Sequence, residues 1–164
     1  RVPAGKYKAV LTKGKEIYEH EFEVVYDEKT GLTEADRKKK YDTTMKLYDM
    51  TEELAYMVYE VDAYIEATAD NKKVSEKLNE LKSTLVITTG DNYVGMSEPQ
   101  LREKMADLYS KVAGSYDKPS PAELENLKLI EERFDQAKVD FEKLKKKAKV
   151  KDLELKTFDE FIAE

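Results

Sequence analysis

The sequence contains no cysteine, no tryptophan and a single histidine among its 164 residues. Without cysteine, the chain forms no disulfide, binds no metal through thiolates and has no cysteine nucleophile. One histidine is too few for the di-iron sites of helical bundles, which require a Glu-x-x-His motif on each of two helices. The sequence also lacks a phosphate-binding glycine loop and a Gly-x-Ser-x-Gly motif. We therefore expect no cofactor, no metal and no catalytic residues in this chain.

Long apolar runs are also missing, and the longest, around residues 85–87, is far too short to cross a bilayer. We therefore expect no membrane span. The chain has 29 basic and 35 acidic residues, a net charge of −6, and this argues against a nucleic-acid partner because phosphate binding requires a dominant basic face. Apolar residues at 40% and charged residues at 39% are typical of a folded domain with solvated helix faces.

Near the N-terminus, residues 5–12 and 15–26 alternate between apolar and polar side chains, which predicts a β-hairpin. Lys13 and Gly14 are predicted to form its turn, because glycine favours tight hairpin turns. This register places oppositely charged residues directly across from each other, as with Lys8 and Glu19.

One face of this hairpin is predicted to be mostly apolar. Because a lone hairpin is only marginally stable in water, we expect this face to pack on the helices or on strands outside this chain. It carries Tyr7, Ala9, Leu11, Tyr18, His20, Phe22, Val24 and Tyr26.

From Thr33 onward the apolar residues repeat at helical spacing, which predicts four helices and a short tail helix. The first should begin at a capping box of Thr33 and Asp36 and run to about Thr68. The second follows a break at residues 70–71. The third and fourth should be capped by Ser97, with Gln100 at the return position, and by Ser120, which precedes Pro121 and Glu123. The tail helix should begin at Thr157, with Glu160 at the return position, and place Phe158, Phe161 and Ile162 on the end of the bundle.

The predicted fold class is mainly α: an N-terminal β-hairpin followed by an antiparallel four-helix bundle. We expect residues 1–28 to be the hairpin end of a truncated immunoglobulin-like domain, and residues 33–164 to be the bundle with its tail. The chain begins at Arg1 rather than methionine, so we interpret it as a mature or excised segment of a longer protein.

Candidate functional residues are few, and each has a structural explanation. His20 lies on a strand and is expected to be a half-buried sheet residue rather than a catalytic group. The alternating glutamates of the second strand favour a solvated face over a calcium site, because calcium needs six to eight oxygens from a looped backbone. The loop at residues 88–95 is the best candidate interaction surface, formed by Asp91, Asn92 and Tyr93. Four tyrosines of the first long helix, Tyr48, Tyr56, Tyr59 and Tyr64, are expected to seal the rim of the bundle.

Two segments carry a family resemblance: the strand Pro3-Ala4-Gly5-Lys6-Tyr7-Lys8-Ala9-Val10-Leu11, and the closing Val24-Val25-Tyr26-Asp27 before a long helix. This order of elements resembles the C-terminal region of secreted bacterial proteins with sortilin-like or BNR-repeat β-propellers, often labelled glycosyl hydrolases. The resemblance implies an extracytoplasmic location, and it implies that any hydrolytic site belongs to an upstream propeller.

These observations predict a non-catalytic accessory module that braces an upstream β-domain of the same parent chain or binds a protein partner. A carbohydrate-binding or glycan-processing unit is the alternative, with Tyr93 as its test residue. A third hypothesis is a self-associating helical domain, because helix seams can pair between chains as well as within one.

Overall fold

The computed structural model describes residues 2–88, 97–150 and 153–163. Two antiparallel strands, β1 (Gly5–Lys13) and β2 (Glu16–Val24), come first, and a 3-10 turn at Glu28–Thr30 follows. The helices are α1 (Glu34–Ala67), α2 (Lys72–Leu85), α3 (Leu101–Gly114), α4 (Pro121–Ala148) and α5 (Phe158–Ile162). The expected class is confirmed: a mainly α chain in which a β-hairpin precedes four helices and a short tail helix.

The first helix begins and ends where the sequence predicts. The Asp36 backbone N–H donates to Thr33 Oγ1 at 3.1 Å, and the Thr33 N–H donates back to the Asp36 carboxylate at 3.2 Å. The Thr33 hydroxyl donates to the same carboxylate at 2.7 Å, and this bond, the Lys118 ammonium 3.0 Å away and the Thr33 N–H together lower the pKa of Asp36 to about 2. The capping box is therefore confirmed, and Thr68 is the C-cap as expected.

The starts of α4 and α5 are confirmed in the same way. Ser120 Oγ accepts from the Glu123 N–H at 3.2 Å, and the Glu123 carboxylate accepts from the Ser120 N–H at 2.7 Å. Pro121 occupies the first turn, where a missing N–H costs nothing. Thr157 and Glu160 form the corresponding box at α5.

The predicted start of α3 is wrong. The helix begins at Leu101 with Gln100 as its N-cap, and the Gln100 N–H donates to the Glu103 carboxylate at 3.2 Å. Ser97 lies outside the helix. The cause is Pro99, because a proline disfavours helical backbone in the residue before it and so prevents a helix from passing through Glu98.

The core consists of one cluster shared by α1, α2, α3 and α4. Each helix buries the apolar stripe that its sequence predicts, and Phe134, Leu47 and Leu54 are at most 1% exposed. The remaining stripe residues of the core are Met50, Met57, Val61, Val74, Leu78, Leu81, Leu85, Leu101, Met105, Leu108, Val112, Leu127, Ile130, Ala137, Phe141 and Leu144.

The two long helices run in the same direction, whereas the sequence predicts an antiparallel bundle. Lys145 in α4 lies 3.1 Å from Glu60 in α1 and 2.8 Å from Glu142, and both side chains of the Lys145–Glu60 pair are mostly buried. Residue numbers increase together along both helices, which shows that they are parallel. The three pairs that link them are Lys46–Glu131, Glu53–Lys138 and Glu60–Lys145.

The two short helices lie one after the other beside α1. Lys82 in α2 pairs with Asp62, near the C-terminal end of α1, at 2.5 Å. Lys40, near the N-terminal end of α1, donates to the carbonyl of Ser115, which directly follows α3. Both short helices also contact α4. Each long helix is therefore covered by α3 over one half and by α2 over the other.

Candidate functional site

The hairpin is the part of the described chain that the helices leave uncovered. Its strands pair from Gly5↔Val24 to Lys13↔Glu16, and neither strand packs against a helix among the described residues. Of the two covers expected for the apolar face, the helices are therefore ruled out, and strands outside this chain stay a prediction. Leu11 is 65% exposed and Phe22 is 45% exposed.

The turn consists of Gly14 and Lys15, one residue later than predicted, so the register is shifted by two residues. Gly14 has φ +62° and Lys15 does not have a positive φ. A turn of type II′ needs glycine at its first central position, whereas a Lys13-Gly14 turn places lysine there. Because the shift is two residues, the side chains of β1 and β2 still lie on the faces that the sequence predicts. Tyr26, expected on the apolar face, lies beyond the end of β2 at Val24.

The apolar face of the hairpin is a continuous surface. Tyr7 and Phe22 stack across it with ring centroids 6.0 Å apart, and the Tyr7 hydroxyl donates to the carbonyl of Pro3 at 2.8 Å. His20 lies opposite Ala9 and is exposed, so it is a surface residue rather than the half-buried one expected. We define the apolar face as Tyr7, Ala9, Leu11, Tyr18, His20, Phe22 and Val24.

The opposite side, which we call the charged face, has lysines on β1 and glutamates on β2. Lys6 lies opposite Glu23, and Lys8 lies opposite Glu21 while its ammonium contacts Glu19 diagonally at 2.6 Å. This diagonal contact explains why charge pairing alone gave the wrong register. The charged face consists of Lys6, Lys8, Val10, Thr12, Ile17, Glu19, Glu21 and Glu23.

Both edges of the hairpin are open in the described chain, whose sheet has two strands. The two-residue turn makes Lys13 and Glu16 a hydrogen-bonded pair, and such pairs recur at every second position. The backbone N–H and C=O groups of the apolar-face residues are therefore hydrogen-bonded to one another across the hairpin. Residues of the charged face direct their N–H and C=O groups outward, where an additional strand could bind them.

A cleft of about 330 Å³ lies where the hairpin meets the bundle. The Arg37 guanidinium covers the Tyr26 ring at 4.2 Å and donates to the carbonyl of Asp27 at 3.1 Å. These contacts connect the end of the hairpin to α1. Tyr41 and Tyr109, both more than a third exposed, form part of the cleft wall.

The tail packs onto α1 through aromatic rings. Phe161 stacks on Tyr59 at 5.2 Å, and Phe158 contacts Tyr56 edge-on at 5.5 Å. The Tyr56 hydroxyl donates to the carbonyl of Lys156 at 2.8 Å. Two of the tyrosines expected on the rim of the bundle thus hold the tail, with the two expected phenylalanines above them. Ile162, expected there too, is 43% exposed.

The predicted interaction surface of Asp91, Asn92 and Tyr93 lies outside the described residues. Within residues 2–88, 97–150 and 153–163, acidic and histidine side chains form no group able to hold a metal ion. No helix in those ranges has the length and apolar character needed to cross a membrane. The sequence predicts that the hairpin has an apolar face in need of cover, but it does not predict that this chain leaves the face exposed, because alternation shows which side chains favour burial and not what covers them.

No protein-family model, no curated protein and no solved structure matches this chain.

Proposed function

We propose that this chain is a non-catalytic accessory module of a larger extracytoplasmic protein, and that its hairpin docks on a β-sheet domain of the same parent. The observation that carries this proposal is the exposed apolar face beside two open strand edges. A two-stranded hairpin alone is only marginally stable in water. It becomes stable when a third strand pairs with it or a second sheet packs on it. The extracytoplasmic location rests on the resemblance of residues 3–11 and 24–27.

The size of the face favours a covalently joined domain over a free partner. Nine residues per strand at about 3.4 Å each, on two strands about 5 Å apart, give a face of about 300 Å². A second copy docked on it would bury about 600 Å² in total, half of the roughly 1,200 Å² found in stable complexes. A domain in the same chain avoids this limit, since linkage makes docking intramolecular.

The test compares the isolated chain with the full parent protein by hydrogen exchange of peptides that cover β1 and β2. The hairpin amides should exchange quickly in the isolated chain, and at least tenfold more slowly in the parent, because docking removes them from water. Equal exchange in the two proteins would overturn the proposal.

A matched pair of variants tests which face docks. Leu11→Asp changes the apolar face and Val10→Asp changes the charged face, at neighbouring positions that are 65% and 56% exposed. In the parent, Leu11→Asp should restore fast exchange and Val10→Asp should not. The same result for both variants would contradict docking through the apolar face.

A carbohydrate-binding unit is the second candidate, and the tyrosines of the cleft between hairpin and bundle support it. Exposed aromatic rings provide faces on which sugar rings can stack. Glycan-array binding that is lost in Tyr41→Ala and kept in Tyr48→Ala, an exposed tyrosine outside the cleft lining, would favour this reading. An array without signal would leave the docking module as the better proposal.

A further inference from the structure

We infer that the neighbouring domain supplies a basic edge strand, and that this strand pairs with β2 rather than with β1. The inference rests on the proposed function, because it names the edge through which the hairpin joins that domain. It follows from the distribution of charge over the two open edges.

The β2 edge has more uncompensated charge. Three glutamates of β2 direct their backbone N–H and C=O groups toward the open edge. One of them, Glu19, forms an ion pair with Lys8 at 2.6 Å. Within the described residues, no cation lies within ion-pair distance of Glu21 or Glu23. On the β1 edge, Lys8 is used in that ion pair, and Lys6 forms none among the described residues. The charged face thus has three carboxylates against two ammonium groups.

Cross-strand neighbours determine which strand such an edge accepts. Opposite charges directly across from each other stabilise a strand pair, and like charges destabilise it. A strand with lysine or arginine at alternate positions would face Glu19, Glu21 and Glu23 on the charged face. The same strand beside β1 would face Lys6 and Lys8, and repulsion between the like charges would destabilise that pairing.

The charges also disfavour a second copy of this chain as a two-fold symmetric strand partner in the registers that pair most of the edge. A two-fold axis places identical edges against each other. That would set the glutamates of β2 against glutamates, or the lysines of β1 against lysines. Charged edges of this kind prevent self-pairing in natural sheets while leaving the backbone available to a strand of opposite charge.

The experiment fuses a nine-residue test strand to the N-terminus of the full chain through twelve glycine and serine residues. Such a linker has a mean span of about 20 Å, enough to reach either edge. One test strand alternates valine with lysine, and the other alternates valine with glutamate. The readout is amide exchange at the outward-facing residues of β2, Glu19, Glu21 and Glu23, and of β1, Lys6 and Lys8.

The lysine strand should slow exchange at the β2 positions about tenfold, as three favourable cross-strand pairs together imply, and leave the β1 positions unchanged. High salt should reduce this effect, since exposed ion pairs are screened. The double variant Glu21→Lys and Glu23→Lys should abolish it. Protection of β1 by the lysine strand, no protection by that strand, or equal protection of β2 by the glutamate strand would overturn the inference.

The two proposals fail in different ways. If the hairpin is protected in the parent protein but the lysine strand does not select β2, only the assignment of the edge is wrong. If the parent shows no protection of the hairpin, the docking function itself is wrong.

Discussion

Phenylalanine is buried in the helical bundle and exposed in the hairpin. Phe134 in α4 is 1% exposed, whereas Phe22 in β2 is 45% exposed. Every helix of the bundle has another helix to cover its apolar stripe, but the hairpin has no such cover in the described chain. The bundle is therefore stable through its own contacts, and the hairpin needs an additional surface.

The largest expected effect tests this difference directly. Phe134→Ala should reduce the free energy of unfolding by about 3–5 kcal/mol, because it removes buried contacts and leaves a cavity. Phe22→Ala should change it by less than about 0.5 kcal/mol, as exposed positions do. Denaturant unfolding followed by helical circular dichroism measures both. A loss above 2 kcal/mol for Phe22→Ala would show that the hairpin is part of the cooperative core.

The bundle was the predictable part of the fold. The boundaries of α1, α2 and α4 follow from capping residues and apolar spacing, because both signals are local in sequence. The start of α3 was mispredicted since Pro99 overrides the cap signal at Ser97. The parallel direction of α1 and α4 depends on which helices meet in space, and periodicity does not contain that information.

The candidate site was only half predictable. Alternation assigned every hairpin side chain to the correct face, yet the register was wrong because Lys8 satisfies Glu19 equally well from a diagonal position. Burial of the face could not be predicted either. An amphipathic strand has the same sequence pattern whether its cover lies in this chain or in another domain.

A smaller loss is expected at the start of α4. Ser120→Ala should reduce the free energy of unfolding by about 1 kcal/mol at neutral pH, because it removes the N-cap. The Ser120 N–H and hydroxyl hold the pKa of Glu123 below its ordinary value of 4.5. The contribution of Glu123 is therefore complete above pH 4.5 and is lost as pH falls through the lower folded value.

The loss caused by Ser120→Ala should accordingly shrink in acid, as denaturant midpoints at pH 7 and pH 3 can measure. Ser110→Ala, at an exposed position inside α3, is the matched control and should be neutral or slightly stabilising. An equal loss in both variants would show that the capping box contributes nothing specific.

A still smaller effect is expected where the tail meets α1. Tyr56→Phe removes the hydrogen bond to the Lys156 carbonyl and should cost about 0.5 kcal/mol, since the bond is partly exposed to water. Amide exchange in α5 should become faster while exchange in α2 stays the same. Tyr109→Phe, on a tyrosine remote from the tail, should leave both unchanged.

The smallest change in the stability of the bundle is expected from Gly14→Ala, which should destabilise the hairpin alone. Gly14→Ala forces a side chain into a backbone with φ +62°, which costs the hairpin about 1–2 kcal/mol, although no atom lies within 4 Å of the added carbon. The unfolding free energy of the helices should not change, because neither strand packs on them. Hydrogen exchange of β1 and β2 should become faster, and the helical unfolding curves of the variant and the unsubstituted chain should superimpose.

Gly114→Ala, at the end of α3 with equally open space and no positive φ, is the control for adding a methyl group alone. A shift of the helical unfolding curve by Gly14→Ala alone would mean that hairpin and bundle unfold together, and the hairpin would then owe its stability to the helices rather than to a missing neighbour.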